Sequence, residues 1–409
     1  MKSTKKPKIS RELIKALPKT DLHVHLDGSV RIPTLIELAK AQKVKLPSYT
    51  VEGMKKLVFK DKYKSLAEYL SGFQYTCAVM HTPEALERIA YELAIDNAEE
   101  GVCYLETRFA PQLHVSDKMD MQTVLESVNK GFDRAKKDIA KWKQVKSGDM
   151  PPFEYGIIGC AMRKFAKNFS PYYRDFLNVC AYMSQNEAFA TASLELARAL
   201  VDIRDKRGIP VVAFDLAGEE YGYPAEIHKP AYQYALKNFM CRTVHAGEAF
   251  GPPSIFQAIT DLYADRIGHG LHLFHENLAP GKTLAERKKY VHDLIEYISD
   301  RRITVEVCLT SNMQTTPEIK KLKDHPFARM EKERISTTLC TDNRTVSNTT
   351  VTNEVALAVE NFDISPSRLR NIIIYGFKRS FFPHDYLVKR KYVRHVIDCY
   401  DRVVAKFGV

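Results

Sequence analysis

The chain has 409 residues, 45% hydrophobic and 27% charged, with a formal net charge of +11. That composition is ordinary for a globular protein. No apolar run approaches the length that crosses a bilayer, and the basic N-terminus lacks the apolar stretch of a signal peptide, so no membrane association is expected.

The eight cysteines form no CxxC pair. Cys160, Cys308 and Cys340 sit in apolar segments, as buried free thiols do in a reducing compartment, and a cytoplasmic location is expected. The positive charge permits attraction to polyanions, but outside residues 2–8 and 136–146 the basic residues are dispersed. A solvated basic surface is expected, with no specific nucleic-acid module.

Residues 1–13 read as a basic tail and 14–409 as one domain, because no linker, low-complexity block or repeat of solenoid period interrupts the chain. Residues 20–26 read as a first strand. The stretch 31–100 is too long for one crossover helix and is expected to add helices over the mouth of the fold, as a lid. Strands follow at 102–109 and 153–162. Leu196, Leu200 and Ile203 then recur at helical spacing until Lys206-Arg207-Gly208 supplies a stop.

Strands are next expected at 211–216 and 241–245. Ser254, after Pro252-Pro253, is an N-cap candidate for a helix carrying Ile255, Ile259 and Leu262. A strand at 266–268 precedes a helix with Val291, Leu294, Ile295 and Ile298 on one face. The last strands are expected at 304–309 and 337–341, and 366–409 reads as further helices packed outside. Eight strands, several of them nearly continuous in apolar character, separated by helices predict an α/β fold, a single (β/α)8 TIM-type barrel. A doubly wound sheet is the rival, but no GxGxxG follows any strand.

The chemistry concentrates at the strand ends. His23 and His25 alternate with Leu22, Val24 and Leu26, so both imidazoles share one face of the first strand. His245 and Glu248 follow a second apolar run, His269 a third and Asp342 a fourth, on the rim where barrel enzymes carry catalytic groups. Ionisable groups are costly there unless paired or metal-bound. Three histidines and a carboxylate suit Zn²⁺ with a water completing the shell, whereas Mg²⁺ or Ca²⁺ takes oxygen ligands. Zinc lowers the pKa of water towards ~7, and Glu248 and His269 remain as acid and base. Asp27, two residues beyond His25, shares its face; capping a helix near Ile32 is the alternative.

The stretches HVHLDGS, FDLAGEE, TVHAGE, RIGHG, CLTSN and CTDN, in this order over nearly the whole chain, resemble the adenosine deaminase family of the amidohydrolase superfamily. The resemblance implies one zinc per chain held by His23, His25, His245 and Asp342, since the fourth strand ends without the lysine of binuclear relatives. It implies that Glu248 protonates the purine N1, and that His269 orients the attacking water and accepts its proton while Asp342 also holds that water. Gly218 would offer its N–H to N3, Asp27 would bind a sugar hydroxyl, and His25 would line the substrate.

Two positions depart from the family pattern. Asn343 stands where many members have a second aspartate, and its amide can donate to N7. Leu309 replaces a common proline. Arg344 would either pair with an acidic neighbour or read an anionic substrate group. Cys308 reads as a packing residue. The expected reaction is hydrolysis of adenosine or 2′-deoxyadenosine, a small-molecule purine nucleoside, to the 6-oxo product and ammonia. The alternatives are a related 6-aminopurine such as aminofutalosine or adenine and, from another class, a catalytically silent zinc barrel that binds nucleic acid.

Overall fold

A computed structural model describes residues 9–409, so most of the expected basic tail (1–8) lies outside the described residues. The helix Arg11–Ala16 starts before the boundary drawn at residue 13, because Leu13 and Ile14 are apolar enough to bury. Eight strands follow: β1 (Lys19–His25), β2 (Val102–Phe109), β3 (Glu154–Met162), β4 (Val211–Ala217), β5 (Cys241–Ala246), β6 (Arg266–His269), β7 (Thr304–Val307) and β8 (Thr337–Leu339). Their order in the sheet is their order in the chain, and every neighbouring pair is parallel.

The ring closes through one bridge between Val24 and Asp342. Asp342 N–H donates to the His23 carbonyl at 2.8 Å, and His25 N–H donates to the Asp342 carbonyl at 2.6 Å. The fold is thus a nearly closed (β/α)8 barrel. Leu22, Val24 and Leu26 are buried, and the helix Pro366–Arg379 packs on β1 and β8 across the seam.

The helix Gln185–Arg207 starts on a capping box between Ser184 and Glu187 and ends at Gly208, as the sequence pattern predicts. Two expectations are corrected. Ser254 is not an N-cap: the helix Pro252–Thr260 has Gly251 at that position. Two prolines in the first turn need no N–H partner, and the Ser254 hydroxyl is used elsewhere, on Glu220. The strand β7 ends at Val307 instead of 309, because the chain turns at Cys308 into the helix Leu309–Thr315.

Inside the barrel lies an ionic layer. Arg108 on β2 donates to Asp215 on β4 and to Glu306 on β7, each at 2.9 Å. Arg266 on β6 donates to Glu306 at 2.6 Å and also pairs with Glu106. The segment 31–100 holds five helices. Among the described residues no helix is long and apolar enough to cross a membrane.

Candidate active site

Parallel strands present their carboxyl ends on one rim, and the rim gathers every site residue expected from the sequence. His25 ends β1 and His269 ends β6, His245 is the last residue but one of β5, and Asp342 follows β8 by three residues. One ligand atom from each of His23, His245, His269 and Asp342 lies within 4.8 Å of the others. His25 stands beside this group, with Nε2 3.1 Å from His245 Nε2 and 3.5 Å from Asp342 Oδ1.

The donor set fits a metal ion. His23 Nδ1 donates to Glu306 Oε2 at 2.7 Å, which leaves Nε2 bare. That Nε2 is buried without a partner and lies 3.6 Å from Asp342 Oδ1. His245 Nδ1 is held 3.1 Å from Asp215 Oδ2, turning its Nε2 to the same centre. Imidazoles oriented by carboxylates in this way are typical of metal ligands. Asp342 (φ 60°) and His269 (φ 65°) both take left-handed backbone, a local strain of the kind that clusters at functional sites.

A relay fixes His269. Phe327 N–H donates to His325 Nδ1 at 3.1 Å, so the neutral His325 ring carries its proton on Nε2, 3.2 Å from Asn312 Oδ1. The Asn312 amide then donates to His269 Nδ1 at 3.1 Å. Burial pushes His269 well below its ordinary value, so it is neutral with its proton on Nε2, 3.8 Å from Glu248 Oε1. The Glu248 side chain is 10% exposed. Burial, aided by the charge of Asp342, raises its carboxyl to about 8, so it keeps its proton at neutral pH.

Asp27 is buried, its carboxyl raised by burial to about 7, with Oδ1 unpartnered and 3.9 Å from His25 Nδ1. Gly218 follows β4 at φ 102°, a conformation that glycine adopts readily. Asn343 donates from Nδ2 to the Tyr69 hydroxyl at 2.7 Å. Arg344 takes the acidic-neighbour option, pairing with Glu100. Cys308 is fully buried and its thiol is pushed well up by burial.

These groups floor a cavity of about 880 Å³ whose outer wall includes Leu66, Leu70, Phe73 and Cys77 from the segment 31–100. Sequence reasoning missed Asp215, Glu306, Asn312, Glu220 and Tyr69. For the first two a signal was available: a lone carboxylate within an apolar parallel strand needs a buried partner.

A parallel barrel with histidines on three strands and an aspartate after the eighth, converging at the carboxyl ends, defines a hydrolase of the amidohydrolase type. The chain belongs to the adenosine deaminase family, whose sequence model matches residues 18–399. It is 36% identical over 372 residues to an adenosine deaminase of Vibrio atlanticus, covering 90% of this chain and 94% of that protein. Among solved structures, Arabidopsis ADAL complexed with IMP superposes with a TM-score of 0.72 at 26% identity, over 96% of this chain and 100% of that one. A zinc-bound amidohydrolase from Burkholderia ambifaria shares the fold, with a TM-score of 0.74 at 19% identity over 100% of this chain and 97% of that one. The substrate is a purine compound and the chemistry is hydrolytic deamination.

Proposed function

We propose that the chain binds one Zn²⁺ through His23, His25, His245 and Asp342 and deaminates adenosine and 2′-deoxyadenosine in purine salvage, in the cytoplasm and without a nucleic-acid partner. The observation that carries this reading is a buried carboxyl, Glu248, 3.8 Å from His269 and beside an imidazole–carboxylate cluster at the floor of a cavity large enough for a nucleoside.

Zinc, when bound, supplies the Lewis acidity that lowers the pKa of water towards ~7. Glu248 gives its proton to the purine N1, which makes C6 electrophilic. His269 orients the attacking oxygen through Nε2. The hydrogen-bond relay on Nδ1 supports a donor there, so the proton-accepting role expected from the sequence requires the Asn312 amide to turn over. Water adds its oxygen to C6 and gives up both protons, one to the amino group, which leaves as ammonia, and one to Glu248 in place of the proton now held at N1 of the 6-oxo product.

Gly218 N–H serves N3 and Asp27 a sugar hydroxyl. Asn343 has a second amide hydrogen for N7, while the first is engaged by Tyr69. The helices of 31–100 act as the lid that keeps bulk water out.

The test is a panel of adenosine, 2′-deoxyadenosine, adenine and AMP, followed by ammonia release and loss of 265 nm absorbance, together with metal analysis of protein purified without added metal. Turnover should favour the two nucleosides, with one zinc per chain. Two metals per chain, or full activity without any, overturns the mononuclear assignment; preference for adenine or AMP overturns the substrate.

A further inference from the structure

After β5 the chain turns at Gly247 (φ 69°), where a Cβ would lie 2.6 Å from Ile255. The next stretch carries Glu248 into the cavity, and its backbone has no strand or helix to pair with. Four successive N–H groups instead converge on one carboxylate. Gly247 N–H donates to Glu220 Oε1 at 2.8 Å, and Glu248, Ala249 and Phe250 donate to Oε2 at 3.0, 2.7 and 3.0 Å. The Ser254 hydroxyl adds a fifth bond, to Oε1. Successive N–H groups curled around an anion form a nest whose partial charges complement the carboxylate.

We infer that Glu220 is the positioning residue for the proton donor Glu248, holding the backbone of that loop in a closed cage so that only the Glu248 side chain moves. The inference rests on the proposed role of Glu248.

Glu220 is 5% exposed and follows β4 by three residues, so the cage ties the end of β4 to the loop after β5. Arg163, just past β3, braces the same corner by donating to the His245 carbonyl at 2.6 Å and the Tyr223 carbonyl at 2.7 Å. A neutral acceptor could satisfy a turn. A second carboxylate beside Glu248 is an odd choice for stability alone, because like charges in a buried site repel. It suits a site that must keep a proton on its neighbour: burial, Asp342 and Glu220 raise the Glu248 carboxyl, against the smaller lowering by His245 and Arg163.

The test is a double-mutant cycle on the metal-loaded protein with Glu220→Gln, Glu248→Gln and the pair, read alongside amide hydrogen exchange. Glu220→Gln should lower kcat for adenosine by about 10²-fold with KM little changed, the loss that a misplaced group brings. Exchange at 247–250 should quicken. In the Glu248→Gln background the same change should cost almost nothing further. If Glu220→Gln does not fold, Ser254→Ala, which removes one of the five bonds, should show the same loss on a smaller scale, again vanishing in the Glu248→Gln background. Losses that multiply, or quickened exchange with unaltered kcat, overturn the positioning role. Unaltered turnover in Glu248→Gln alone overturns the reading of Glu248 and is seen before the cycle is closed.

Discussion

Glu248 shows how a single side chain acquires its chemistry from its surroundings. A carboxyl in water is ionised at neutral pH; burial and the charge of Asp342 raise this one to about 8. For the proposed proton donor the acid form is the competent one. Activity that depends on it should be flat near neutrality and fall about tenfold per unit as pH rises beyond about 8. The Glu248→Gln variant has no proton to lose there, so its residual turnover, about 10²–10⁴ below the parent, should lack that alkaline limb while zinc content is unchanged. A pH–rate series on both proteins decides it, and an identical alkaline limb in the two assigns that limb to another group. The gathering of histidines at the rim was legible in the sequence because strand alternation and rim position are local properties. Their carboxylate partners were legible only as lone charges within apolar strands, not as partners: His23 and Glu306 are 283 residues apart, and nothing local pairs them.

At the scale of the element, most strands lie within a residue or two of the expected spans, since a strand covered on both faces reads as a continuous apolar run. The errors fall where side chains answer to distant groups. Ser254 resembles a cap from its neighbours alone, yet it serves Glu220 on another loop. Charges inside the strands carry the same lesson. Glu106 and Arg108 on β2 point inward together, and with Asp215, Arg266 and Glu306 they form a layer of ion pairs beneath the histidines. Arg108 also donates to the Leu22 carbonyl at 2.7 Å. Replacing Arg108 with Met leaves Asp215 without its guanidinium partner and Glu306 with Arg266 alone, and should cost about 3–5 kcal/mol in urea unfolding. The two carboxylates orient His245 and His23, so metal affinity should also fall by about 10–100-fold. A variant that unfolds at the parent's midpoint with unaltered metal affinity shows that the layer neither stabilises the barrel nor reaches the site.

Viewed whole, the molecule is a ring of eight strands with the joins unequal in strength. Seven are ladders, while the eighth is the bridge of Val24 with Asp342, and Asp342 is also the carboxylate at the centre of the metal-competent cluster. The clasp of the ring and the proposed clasp of the metal are therefore one residue. Chelation should lower the melting temperature, because an ion that binds only the closed ring adds about 2.7 kcal/mol when present at a hundredfold excess over its Kd. Amide exchange in the metal-free protein should quicken first at 21–26 and 338–343; uniform quickening around the barrel would dissociate the clasp from the ion. A protein built this way makes metal scarcity a matter of survival as well as of catalysis. A chain that loses its ion should open first at the bridge of Val24 with Asp342, where a protease would meet a loose end before the rest of the barrel has loosened.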